Sequence, residues 1–260
     1  MIATNGTPLD RAHVCAERTG ADGDRLAFFE RLAEAELHLL LNGSGAAGEV
    51  SPRLFEVDGA RYVLAFDLPE RLSAFVGGAD AAPTATLSGR ALARMLATDG
   101  LGLGLNLEDA PSAQLLAPDA MAWLSETLAH GPAEEERAIA GVMPPGDLPA
   151  ALLTALDGKL ALAAGLARTA YLAGVEYRDG ARSHILGIID AVPGSEPDLA
   201  RAVSEALVFS GLEAGGLDVT FLRAAQPLAA TLARHGLRID LPTLEPTGPS
   251  RDPEAPPRLR

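Results

Sequence analysis

At 260 residues and 48% hydrophobic content, the chain is long enough for one large globular domain or two ordinary ones. A formal net charge of −14, with no arginine cluster, disfavours nucleic acid and anionic membrane as partners, because neutralising phosphates takes a basic face. The longest apolar candidate, 148–171, is broken by Asp157, Lys159 and Arg168, so no membrane span is expected, and without a basic-then-apolar leader the cytoplasm is the expected compartment.

In chain order, residues 1–23 read as a flexible or peripheral segment, either poorly ordered or a short helix. Asp22 or Asp24 is then placed to cap a helix to about residue 35, with Leu26, Phe29, Leu32 and Ala33 as its apolar stripe. Residues 36–41 read as a strand and 42–48 as a glycine-rich flexible loop. Asp58-Gly59 joins strands 54–57 and 61–66 in a hairpin. A short helix over 69–76 has Pro69 in its first turn. After a strand at 84–87, Ser88 caps a helix that runs to 97 and stops at Gly100. The run LGLGLNL (101–107) reads as a buried strand, its glycines allowing another chain segment to come close. A strand at 113–116 and a helix at 118–129 complete the first domain, set at 24–130.

The glutamates, glycines and prolines of 131–146 mark a linker. The second domain, 147–241, opens with a helix over 148–164. A β-hairpin over 171–190 follows, organised around Asp179-Gly180. A two-residue type I′ turn pairs 178 with 181 and therefore 175 with 184. An amphipathic helix on Leu199, Val203, Leu207 and Leu212, a strand at 217–222, a helix at 227–235 and an edge strand at 237–241 complete it. The tail from 242 is proline-rich, and disorder is expected. The fold class is α+β: two domains, each a mainly antiparallel or mixed sheet with packed helices.

No stretch carries a complete catalytic signature. Gly100, Gly102 and Gly104 fail the dinucleotide spacing, since 105 and 107 are leucine. Lys159 lacks the rest of a P-loop, and Ser44 lacks the nucleophile-elbow pattern. Cys15 has no local base, and His13-x-Cys15 lacks the further ligands of a zinc site. Glu134, Glu135 and Glu136 read as a solvated charge run. No metal or cofactor is implied. The candidate ligand-binding residues are Asn106 and Ser112, in a polar loop leaving a buried strand, and His184, among apolar neighbours on the hairpin. Each has a structural alternative: turn formation for the loop, and ordinary packing for His184 and for His38.

The segments LAEAELHLLLN (32–42), FEVDGARYVLAFDLPERLSAF (55–75), GRALARML (89–96) and LGLGLNLEDAPSAQLL (101–116) resemble the N-terminal domain of the enhanced serine sensitivity B (SseB) family. AYLAGVEYRDGARSHILGIIDAVPG (170–194) and GLDVTFL (216–222) resemble that family's C-terminal domain. The resemblance implies no catalytic residues. By its name it associates the family with serine sensitivity and a sulfurtransferase. Cys15 is not in an anion-binding loop, so the chain itself is not expected to be a sulfurtransferase. The expectation is a non-enzymatic accessory protein that binds another protein. The alternatives are an enzyme or small-molecule binder with an interdomain cleft, and a homo-oligomeric structural protein.

Overall fold

The computed structural model describes residues 6–42, 51–77, 83–108, 110–129, 131, 136–211 and 216–242. The expected glycine-rich loop from residue 43, with Ser44, lies outside them, as do Asp109, Glu134, Glu135 and the tail from 243. The described residues divide into two compact units. One takes 6–131 with 149–155 and 204–211; the other takes 136–148, 156–203 and 216–242.

The first unit begins with helices α1 (Pro8–Thr19) and α2 (Asp22–Glu34). Strands β1 (Glu36–Leu40), β2 (Leu54–Val57) and β3 (Ala60–Phe66) follow, then α3 (Pro69–Phe75), β4 (Thr84–Ser88) and α4 (Gly89–Asp99). It closes with β5 (Gly102–Leu105), β6 (Gln114–Leu116) and α5 (Pro118–Ala129). The sheet order is β4-β1-β3-β5-β6, with β2 also paired to β3. Only β3 and β5 run parallel. Leu37, Leu39, Val63, Leu103 and Leu105 of the sheet share a core with Leu92, Leu96 and Leu124 of α4 and α5.

Pro8–Thr19 corrects the expectation of a flexible segment over 1–23. The helix is not peripheral either: Leu9, Asp10 and Ala16 are buried. Its start carries a capping box, in which the Thr7 side chain accepts from the Asp10 main chain and Asp10 accepts from the Thr7 main chain. The cap expected from Asp22 or Asp24 is also corrected: Ala21 takes the N-cap of α2, and no side chain caps it. Ser88 caps α4 as expected.

From the second unit's strand β7 (Ile139–Met143) the chain continues through α6 (Ala150–Leu162), β8 (Thr169–Tyr177), β9 (Arg182–Ile189), α7 (Glu196–Phe209), β10 (Leu217–Leu222), α8 (Pro227–His235) and β11 (Leu237–Asp240). The sheet order is β10-β9-β8-β11, with β7 also on β8 and only β9–β10 parallel. Strand β7 lies inside the segment expected as a linker. Half-buried Ile139 and Val142 give it an apolar side against the cluster of Val175, Tyr177 and Leu232, and Val142 pairs with Val175.

The hairpin register also corrects the sequence reading. Tyr177 N donates to Ala181 O at 2.9 Å and Glu176 pairs with Arg182, so three residues, 178–180, make the turn. Gly180 takes φ +85°, while Asp179 stays out of the left-handed region. His184 therefore faces Gly174 rather than Val175. A one-residue shift of this kind moves a side chain to the opposite face. Val175, Ala173, Tyr177 and Ile185 pack with Leu232 of α8, and His184 is not on that face.

Two glycines in the first unit hold space. A Cβ on Gly102 would lie 2.5 Å from the Tyr62 ring and 2.7 Å from the Leu116 carbonyl oxygen. A Cβ on Gly89 would run into the Leu32 carbonyl oxygen, where the main chain cannot give way. Gly89→Ala is expected to destabilise the first unit by about 3 kcal/mol, at the upper end of overpacking costs. Gly23→Ala, on an α2 position open to solvent, is expected not to lower stability. Urea unfolding read by the fluorescence of Trp123, the one tryptophan, distinguishes the two.

Candidate functional site

Parallel strands β3 and β5 end side by side, and polar residues that follow them join a buried polar cluster with the start of α1. Asp67 follows β3. Asn106 follows β5 and adopts φ +47°, a left-handed conformation that asparagine tolerates. Its Oδ1 accepts from Asp67 N at 2.9 Å, and its Nδ2 donates to Ser112 Oγ at 2.8 Å. Ser112 Oγ in turn donates to Asp10 Oδ1 at 2.6 Å, and Ser112 N reaches the same oxygen at 3.2 Å. Arg71, in the first turn of α3, donates through Nη2 to Asp10 Oδ2 at 2.5 Å and through Nη1 to Asp67 Oδ1 at 2.7 Å. Thr7 Oγ1 donates to Asp67 Oδ2 at 2.6 Å.

Asp10 is the centre of this arrangement and only 1% exposed. Burial by itself would raise its pKa. Hydrogen bonds from Arg71, Ser112 and the Thr7 main chain outweigh burial and hold it down to about 2. The carboxylate stays charged at every ordinary pH. Ser112 is fully buried, with its hydroxyl committed to a carboxylate and an amide, and no histidine joins it. That is a poor nucleophile and a poor base site. Among the described residues no buried side-chain nitrogen or oxygen lacks a partner, and no group of three or more His, Cys, Asp or Glu is arranged to hold a metal.

Asn106 and Ser112, expected as candidates, are thus brought together. His184 is not with them. It belongs to the second unit, where Nε2 lies 2.9 Å from Pro145 O and Nδ1 lies 3.2 Å from Gly216 O. The main chain on both sides fixes the ring. His38 contacts Thr86 Oγ1 across β1–β4 at 3.1 Å. The residues that sequence reasoning missed are Asp10, Asp67 and Arg71. The Thr7-Pro8-Leu9-Asp10 capping pattern was the one local signal for Asp10.

The chain's N-terminal half now has its family. Residues 9–123 match the family model described as SseB protein N-terminal domain. The chain carries an SseB N-terminal domain. No curated protein and no solved structure matches the chain. Asp10, Asp67, Arg71, Asn106 and Ser112 all fall inside the SseB domain. The match begins within α1, in keeping with the burial of that helix's first turn.

A second polar group lies in the other unit. Tyr177 OH donates to Asp218 Oδ2 at 2.5 Å, and the Arg137 guanidinium stacks 3.9 Å from the Tyr177 ring centroid. Burial and the bond to Asp218 push the phenol pKa up. Arg137 also pairs with Asp179 at 3.1 Å. The group pins the β7 end and the hairpin turn to β8.

Two expectations follow. Asp10 has a folded pKa below its unfolded value of 3.8, so its contribution is complete above pH ~4 and is lost as pH falls toward 2. The loss is about 2 kcal/mol in the SseB domain, and Asp10→Asn removes that acid limb from the stability profile read by Trp123 fluorescence. Tyr177→Phe strands one carboxylate partner and should cost the second unit about 2 kcal/mol, measured by hydrogen exchange across β8 and β9.

Proposed function

We propose that the chain is an accessory protein that acts by binding another protein. The observation that supports this most is the closure of the polar cluster. In open sheets with parallel strands, ligands sit beyond the carboxyl ends of those strands. Here the positions after β3 and β5 are filled by the chain's own Thr7, Asp10 and Arg71, with each buried polar atom matched. No reacting atom reaches Ser112 without dismantling the start of α1. Binding then falls to the surface, where Val14, Leu115 and Trp123 of the first unit keep 49%, 43% and 37% of their area exposed.

On the SseB resemblance alone, a sulfurtransferase is the partner class to try first. The test is affinity capture by the tagged full chain from lysate of its own source, against a tag-only control. One reproducible partner near equal amounts is expected. The reading falls if no partner is retained. It also falls if the purified chain turns over a substrate and Ser112→Ala abolishes that turnover with Trp123 fluorescence unchanged.

A further inference from the structure

We propose that the exposed face of α1 is a docking groove for an acidic peptide segment of a partner protein. This deepens the protein-binding reading and rests on it. An open groove of about 240 Å³ lies on the helix, lined by Arg11, Val14, Cys15 and Arg18 and by Pro111 of the loop after β5. Arg11, Val14 and Arg18 stand at i, i+3 and i+7, one side of a helix. Seven residues of rise put the two arginines about 10 Å apart along the axis.

Both guanidinium groups have donors to spare. Arg11 Nη1 donates to Gly6 O at 2.5 Å, and Arg18 Nη2 lies 3.8 Å from Cys15 Sγ. Among the described residues neither reaches a carboxylate. Each guanidinium carries five N–H groups, and among the described residues each has one hydrogen-bond acceptor. Among the described residues the carboxylate that borders the groove is Asp10, already neutralised by Arg71 and its hydrogen bonds. Glu17 is exposed nearby on α1 but does not line the groove. The groove is thus a local cationic strip with an apolar middle, on a chain whose net charge is −14. Its complement is a peptide with two carboxylates flanking an aliphatic side chain: the carboxylates take the guanidinium N–H groups, and the aliphatic group covers Val14 and Pro111.

The probe is a fluorescein-labelled peptide, Gly-Glu-Ala-Leu-Ala-Glu-Gly, with a lysine-for-glutamate version as control, both titrated with the full chain by fluorescence polarisation. The glutamate peptide is expected to bind. The Arg11→Glu/Arg18→Glu double variant should weaken it at least tenfold, and Val14→Asp should weaken it as well. Both sites are on the surface, and an unchanged Trp123 unfolding midpoint confirms the fold. The proposal is overturned if the lysine peptide binds as tightly. It is equally overturned if wild type and double variant treat the glutamate peptide alike, including no binding by either. The same double variant separates this proposal from the broader one in lysate capture. A partner lost with the variant supports the groove; a partner retained refutes the groove and leaves protein binding standing. Wild type capturing nothing refutes protein binding, and the peptide titration still decides the groove.

Discussion

A buried carboxylate has to be compensated, and in the SseB domain Asp10 imposes that demand on three separate stretches of chain. Its oxygens accept from Thr7, Arg71 and Ser112, and Arg71 is shared with Asp67, which also takes the Thr7 hydroxyl. The group holds two carboxylates and one guanidinium, and neutral donors make up the difference. Remove any one member and the others keep their desolvation cost without its return, which is why breaking such a group costs more than its net worth. Stability is not its main product. A buried ionic group adds little over an apolar one of the same shape, yet it accepts a single arrangement. Here that arrangement seats the first turn of α1 against the ends of β3 and β5.

This placement decides what chemistry the domain has available. The ends of adjacent parallel strands gather main-chain donors and polar loop residues, and Asn106 and Ser112 are there as such positions require. The same geometry that makes a good ligand site makes a good socket for a side chain of the chain itself. Asp10 is a carboxylate ligand supplied internally, held by an arginine and by hydroxyl and amide donors much as a bound acid would be. The loop's left-handed Asn106 and Glu108, at φ +47° and +94°, are the conformational cost of bringing Ser112 back beneath it.

How far the sequence revealed this depended on range. Periodicity placed α4, α5, α8 and every strand but β7, because each signal lies within one element. Ser88 was readable as a cap, and the paired glycines of β5 as a site of close approach. The Asp10 cluster was not readable, since its bonds join residues 61 and 102 positions apart. Two hairpins carry the same Asp-Gly dipeptide and turn differently. At Asp58-Gly59 both residues take positive φ, and Val57 pairs with Ala60. At Asp179-Gly180 the Asp179 side chain accepts from Ala181 N, and Arg178 N is held by Ala138 O from the neighbouring segment. The tertiary contact chose the three-residue turn, and that choice put His184 on the face opposite the one its sequence position implied. The β7 strand was obscured in the same way: its apolar side is short, and its partner is more than thirty residues away.

The charge balance sets how a partner reaches such a chain. At −14 the long-range field repels acidic proteins and slows their encounter, but exposed charges are screened beyond roughly 8 Å at physiological salt. Inside that distance the local residues decide. On the groove side of α1 those are Arg11 and Arg18, because Asp10 is held in its own network and the exposed Glu17 does not line the groove. The buried cluster and the surface strip are therefore two sides of one helix: the first turn's carboxylate is consumed inside, and the arginines are left outside with donors unspent.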